Sequence, residues 1–154
     1  AVTVLDSSSD YLAFAGTTDG SIFRCDNLNP ANGTSNSWTN ITPPGNNGAW
    51  VRRIVASPID KNQLYVCYSA FNPSGVLNSR HIWYSGNQGN TWNDISLNLP
   101  NVPVHSIVLD TTDYYLIPVP KLYIGTETGV YTSADNGTTW QQFNTGMPTY
   151  VPVD

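Results

Sequence analysis

The sequence predicts an all-β protein built from repeated four-stranded antiparallel units, and three observations carry that prediction. Ser, Thr and Asn fill 47 of 154 positions while 11% of residues are charged, against a usual share of about 25%. Twelve Gly, eleven Pro and eighteen Trp, Tyr or Phe complete a composition suited to short strands joined by many turns. Second, one pattern recurs: Ser85-Gly-Asn-Gln-Gly-Asn-Thr-Trp92 and Ser133-Ala-Asp-Asn-Gly-Thr-Thr-Trp140 match as Ser-x-Asn/Asp-x-Gly-x-Thr-Trp at an offset of 48. Third, each period holds four short runs rich in β-branched and aromatic residues, bounded by Gly, Pro, Asn or Asp, with no helical stretch.

Taken in chain order, the strands of each unit are A, B, C and D. In the first unit Val2-Thr-Val-Leu-Asp6 supplies strand A, matching Arg53-Ile-Val-Ala-Ser57 and Ser106-Ile-Val-Leu-Asp110. Strand B and the link after it, Ala13-Phe-Ala-Gly16-Thr-Thr-Asp-Gly20, align without gaps to Leu122-Tyr-Ile-Gly125-Thr-Glu-Thr-Gly129 at an offset of 109. The same offset carries Asp26-Asn27 onto Asp135-Asn136, after which the first unit runs seven residues longer to its Trp38. In the second unit the strands fall near Val51 to Ala56, Leu64 to Tyr68, His81 to Ser85 and Thr91 to Ile95. In the third they fall near Val104 to Leu109, Leu122 to Thr126, Val130 to Ser133 and Thr139 to Phe143. The units therefore span about 1–42, 50–98 and 102–146, and residues 147–154 start another.

Four antiparallel strands in about 50 residues, repeated, is the signature of a propeller blade. The Ser-x-Asp-x-Gly-x-Thr-Trp boxes resemble the Asp-box, or BNR, repeat found in β-propellers of sialidases, family 74 glycoside hydrolases, sortilin-type receptors and secreted bacterial repeat proteins. Leu122-Tyr-Ile-Gly-Thr-Glu-Thr-Gly-Val-Tyr131, followed directly by its box, is most similar to the family 74 and sortilin-like group. The resemblance covers essentially the whole chain and implies about three four-stranded blades, part of a larger propeller. It does not choose among functions, because one scaffold carries many.

The box reads as structure. A short Asp or Asn side chain accepts from turn amides, Gly takes a positive φ, and Trp anchors one blade on the next. Ser85, Asn87, Gly89, Trp92, Ser133, Asp135, Gly137 and Trp140 are accordingly assigned to folding. Calcium prefers roughly six to eight oxygens, several of them carboxylates, and Asn87 removes the charge in one copy, so no metal or cofactor is expected.

Antiparallel topology puts the A-to-B and C-to-D turns at one end and the B-to-C and D-to-A connections at the other. The second unit inserts Ala70 to Arg80 in its B-to-C loop, next to the connection Thr42-Pro-Pro-Gly-Asn-Asn-Gly-Ala-Trp50. Long loops on a rigid scaffold are where binding resides, so Trp50, Arg52 or Arg53, Phe71 and Arg80 are the ligand candidates, suited to flat sugar rings. The bland alternative packs Trp50 under its loop and turns one arginine into the channel. The long C-to-D turn from Asn27 to Ser37 and the loop from Thr111 to Lys121, with Tyr114 and Tyr115, are alternative contact surfaces.

Catalysis is read against the acidic supply. A sialidase needs an arginine cluster, a tyrosine nucleophile and acids, but the chain has four arginines and one glutamate, Glu127. An inverting hydrolase sets two carboxylates roughly 6.5–9.5 Å apart, while Asp6, Asp26, Asp110 and Asp135 occupy repeated turn positions. Asp19 and Glu127, in tight B-to-C links, are the acidic candidates that remain. His81 and His105 are isolated within strands, and no Ser-His-Asp order or phosphate loop is present.

The net charge of −5 with six Lys or Arg argues against nucleic acid or anionic membrane as a partner, and no apolar run reaches the roughly 18 residues of a membrane span. Cys25 and Cys67 read as buried free thiols rather than a bridge. Sequons at Asn32, Asn40 and Asn136 are glycosylation candidates in a secretory host. The expectation is a secreted or surface scaffold that binds carbohydrate or protein without catalysis. The alternatives are a fragment of a polysaccharide-active hydrolase and a subunit of an extracellular assembly. Propellers close with about four to eight blades, so further blades, from the same chain or from other copies, are expected partners. A window from a longer propeller is the favoured reading, because free blade edges invite aggregation.

Overall fold

The computed structural model describes residues 1–7, 10–26, 28, 37–46, 48–69, 71, 80–112 and 119–147, with backbone alone at 4–7 and 10. It contains three four-stranded antiparallel sheets. The first comprises β1 (Val2–Ser7), β2 (Asp10–Gly16), β3 (Ile22–Cys25) and β4 (Trp38–Asn40). The second comprises β5 (Trp50–Ala56), β6 (Leu64–Ser69), β7 (Ile82–Ser85) and β8 (Asn93–Asp94). The third comprises β9 (Val104–Asp110), β10 (Lys121–Thr126), β11 (Gly129–Ser133) and β12 (Gln141–Gln142). Each is a simple meander with strands in chain order, and each corresponds to one sequence repeat. These are propeller blades.

The blades stack through their inner strands: β5 lies against β1 and β2, and β9 lies against β5 and β6. Alternation within β6 explains why the middle blade is so apolar. Leu64, Val66 and Tyr68 face the first blade, in a cluster with Phe14, Ile22, Val51 and Ile54. Tyr65 and Cys67 face the third, with Ile82, Val104, Ile107, Leu122 and Ile124. A strand covered on both sides reads as a continuous hydrophobic run, and each fully buried Ile, Leu or Val contributes roughly 1.5–3 kcal/mol.

The register corrects the gap-free alignment of the first repeat. Ala13, Leu64 and Leu122 pair with Cys25, Ser85 and Ser133 respectively, so the buried thiol of Cys25 takes the place of the box serine. Asp26 consequently lies one position before the box acid, and Asn27, which would hold it, is outside the described residues. The cause is one extra residue in the link between β2 and β3, where Gly16 pairs with Ile22 while Gly125 pairs with Val130. Strand β1 is also displaced by one: Ala15 pairs with Val2 where Ile124 pairs with Ile107. Asp6, expected in a turn, therefore lies within β1. The outer strands predicted at Thr91 to Ile95 and Thr139 to Phe143 shrink to two residues each, because their Thr and Trp belong to the turns. Cys67 is a free buried thiol as well, and its burial pushes its pKa far up.

The two complete boxes share one geometry. Ser85 Oγ accepts from the amides of Asn87 and Gly89 at 3.2 and 2.8 Å and donates to Asn87 Oδ1 at 3.0 Å. Ser133 repeats this with Asp135 and Gly137. Asn87 Oδ1 and Asp135 Oδ1 each accept from a threonine amide, Thr91 or Thr139, at 2.8 Å. Gln88 and Gly89 have φ of 57° and 85°, and Asn136 and Gly137 have 55° and 83°, consecutive left-handed residues that explain the glycine. A Cβ on Gly89 would come within 2.4 Å of Ile41 Cδ1, and one on Gly137 within 2.7 Å of Ile95 Cβ. The box is thus pressed against the previous blade.

Candidate functional site

The end of the molecule opposite the boxes carries the ligand candidates Trp50, Arg52, Phe71 and Arg80 and the acidic candidates Asp19 and Glu127. Two equivalent β-bulges shape it. Val51 pairs with Tyr68 and Arg53 with Cys67, leaving Arg52 without a partner across the sheet. In the third blade Thr126 pairs with Val104 and Gly125 with Ser106, leaving His105 unpaired in the same way. Such an extra residue bends the strand and re-aims nearby side chains. Arg52 and His105 therefore hold the same station in adjacent blades.

Around these bulges a strip of polar and aromatic groups crosses two blades. The Arg52 guanidinium carbon lies 5.2 Å from the centroid of the Trp50 ring, within cation–π range, and Trp50 is 47% exposed. Trp50 pairs across the sheet with Ser69. Ser69 Oγ lies 3.4 Å from His105 Nδ1, and His105 Nε2 lies 3.7 Å from Glu127 Oε1. Phe71, two residues past Ser69, is also exposed. The sequence reading missed Ser69 and treated His105 as isolated. The available signal was the 53-residue offset that places His105 under Arg52.

The connection from Thr42 to Trp50 is tied down at several points. Asn46 Nδ2 donates to Gly20 O at 2.6 Å, and the buried Tyr68 hydroxyl donates to the same carbonyl at 3.3 Å. Arg80 Nη1 donates to Gly45 O at 3.0 Å, bringing the end of the long B-to-C loop onto this connection. Residues 72–79 of that loop lie outside the described residues, as do Tyr114, Tyr115 and Asn32. Arg53, also exposed, follows the bulge on the inner strand.

The two acidic candidates differ. The Asp19 carboxylate accepts from the Thr17 hydroxyl and from the Ser21 amide, and those bonds hold its pKa below the ordinary value. It is a turn fastener, poorly suited to keep a proton for general-acid work. Glu127 is exposed and lies beside His105. Asp110, also expected in a turn but standing as the last residue of β9, and Asp135 likewise have lowered pKa values, chiefly from the Thr112 and Thr139 hydroxyls. Asn40 Oδ1 accepts from Thr42 of its own sequon, and Asn136 Oδ1 accepts from the Tyr65 hydroxyl of the previous blade at 2.7 Å. Among the described residues no group of three His, Cys, Asp or Glu could hold a metal ion, and no helix is long and apolar enough to cross a membrane.

No protein-family model and no curated protein sequence matches the chain. Solved structures do. An ancestral GH74 enzyme superposes with a TM-score of 0.60 at 21% identity, over 93% of this chain and 18% of its own. The GH74 xyloglucanase from Xanthomonas campestris gives 0.56 at 17%, over 93% of this chain and 22% of its own. The fold is a β-propeller fold. This chain spans about a fifth of the length of those enzymes, and at such identities the likeness concerns architecture.

Proposed function

We infer that this chain is an Asp-box segment of a secreted or surface propeller, and that its B-to-C end binds polysaccharide without carrying out catalysis itself. The observation that carries the reading is the exposed Trp50 ring with Arg52 packed over it, held at a bulge beside Phe71 and the Ser69–His105–Glu127 strip. An aromatic face with charged and hydroxyl groups at its rim is the ordinary chemistry of a sugar subsite, apolar on the ring and polar at the hydroxyls. Support for the non-catalytic part comes from Asp19, whose carboxylate is engaged within its own turn.

Titration calorimetry with xyloglucan and β-glucan oligosaccharides, with an array of other glycans beside it, tests the reading. Trp50→Ala should weaken binding at least tenfold and Phe71→Ala less, with both proteins folded. Unchanged affinity in Trp50→Ala removes the site. A second reading, a fragment of a polysaccharide hydrolase, is favoured by the GH74 enzymes among the structural neighbours. It places Glu127, which unlike Asp19 is not engaged in its own turn, in the reaction, and predicts polysaccharide cleavage that Glu127→Gln abolishes.

A further inference from the structure

Charge is spread unevenly over the two ends of the molecule. Of the six Lys or Arg in the chain, Arg52, Arg53 and Arg80 stand at the B-to-C end, and the carboxylates there are Asp19 and Glu127. Residues 72–79, outside the described residues, hold no charged side chain. This end is therefore net positive in a chain of net charge −5, and a local field of that sign attracts anions whatever the overall charge.

The arginines differ in what already holds them. Arg24, at the box end, is neutralised by Asp26 at 2.6 Å and donates to Gln88 O at 2.8 Å, and Arg80 is committed to Gly45 O. Among the described residues no carboxylate is paired with Arg52 or Arg53, and Arg53 is exposed. Neither carboxylate of this end answers them, since Asp19 accepts within its own turn from Thr17 and Ser21 and Glu127 lies beside His105. Arg52 is nonetheless held in place, 5.2 Å from the centroid of the Trp50 ring, on the bulged residue of β5. Both arginines belong to the middle blade, which is covered on both sides.

We propose that the polysaccharide bound at this end carries uronic acids, with Arg52 and Arg53 as the residues that select the carboxylate. This rests on the glycan reading and narrows it. A uronate carries its carboxylate directly on the pyranose ring, so a sugar stacked on the exposed part of Trp50 brings that group to the rim where Arg52 stands. A guanidinium packed on an aromatic face keeps its N–H edge for bidentate bonds to a carboxylate. A neutral sugar would leave both cations without a counter-charge.

Titration calorimetry with oligoglucuronates and oligogalacturonates tests it, each set against the carboxyl-reduced oligosaccharide of the same linkage and length. The charged member of a pair should bind about tenfold more tightly, and its advantage should shrink as the ionic strength rises. Arg52→Gln and Arg53→Gln should each reduce that advantage, with urea unfolding to confirm that the variants are folded. Lys61→Gln removes the same charge from the exposed turn at the opposite end and should preserve it. Trp50→Ala should weaken both members of a pair. Equal affinity within every pair, with Trp50→Ala still weakening binding, overturns the uronate proposal and leaves the glycan reading standing. An advantage lost in Lys61→Gln as fully as in Arg52→Gln overturns it as well, because overall charge would then be the cause. Binding by no glycan at all removes both.

Discussion

The Trp140 indole reaches across from the third blade to the Ile95 carbonyl at 2.7 Å, while its main-chain N–H and C=O are both bonded by the Asn98 side chain, at 2.9 Å each. One residue is therefore gripped by the neighbouring blade at three points and buried besides. Truncating a buried Trp to Ala typically costs about 3–5 kcal/mol, and Trp140→Ala should fall in that range by urea denaturation. Trp140→Phe keeps most of the apolar area but leaves the Ile95 carbonyl unbonded, for a loss of about 1–3 kcal/mol. Trp92→Ala should cost less, since Trp92 is only partly buried. Equal losses at the two positions would show that the joints are not graded by burial.

Asp135 and Asn87 do the same work in the two boxes, each accepting from a threonine amide at 2.8 Å. Asp135→Asn should therefore leave stability near neutral pH almost unchanged. What it removes is an acid dependence. The Thr139 hydroxyl, the Thr139 amide and Ser133 lower the Asp135 pKa from its ordinary 3.8, so the folded state favours the carboxylate. That stabilisation is present above 3.8 and is lost as the pH falls through the lowered folded value. Because the group is exposed the effect is small, and it shows as a shallower decline in the urea midpoint of Asp135→Asn below pH 4. A parallel decline in both proteins would assign the acid sensitivity elsewhere.

How far the sequence could be read follows from the kind of signal each feature leaves. Strands β6 and β10 and both boxes are written in side-chain letters, as apolar runs and a recurring octapeptide, and they sit where those letters put them. The partners of Trp92 and Trp140 are backbone carbonyls, which carry no letter. A similar blindness hid the link after each outer strand, where Thr42 Oγ1, Ser96 Oγ and Asn144 Oδ1 each accept from the equivalent amide near the start of strand C, at Ile22, Ile82 and Val130. Three different residues perform one task, so no pattern recurs. Displacement of the first repeat by one residue escaped notice because Val2 to Leu5 is nearly as apolar in either frame, and only pairing decides between them. At the candidate site Trp50, Phe71 and Arg80 were visible as irregularities, while the bulge next to Trp50 is a property of two strands together.

His81 supplies a second pH dependence, of the opposite chemistry but the same sign. Its ring is buried with Nε2 3.1 Å from Asn101 Oδ1, and burial lowers its pKa below 6.5, outweighing the raising effects of Asn101 and Asp94. The folded state therefore favours the neutral ring. Below about 6.5 the unfolded chain takes up a proton that the folded chain resists, so stability falls as the pH drops from 6.5 towards the folded value and levels off beneath it. Urea midpoints at pH 7.5 and 5 should differ in the wild type, and the difference should shrink in His81→Gln. A wild-type midpoint that holds constant across that interval would show that His81 does not titrate unfavourably.

The bulge itself can be separated from the sheet that carries it. Because Val51 pairs with Tyr68 and Arg53 with Cys67, removing Arg52 leaves two consecutive residues opposite two consecutive residues, the regular arrangement of an antiparallel ladder. Buried Val51 and Ile54 keep their partners, so deletion of Arg52 should shift the urea midpoint less than Trp140→Ala does. Ligand binding should respond the other way. On the proposed glycan site the guanidinium over Trp50 is gone, and the bend that a bulge imposes on its strand relaxes next to Trp50, so glycan affinity should fall at least as far as in Trp50→Ala. Arg52→Ala, which keeps the bulge and loses only the cation, should fall less. If the deletion and Arg52→Ala weaken binding equally, the bulge contributes nothing beyond placing a charge.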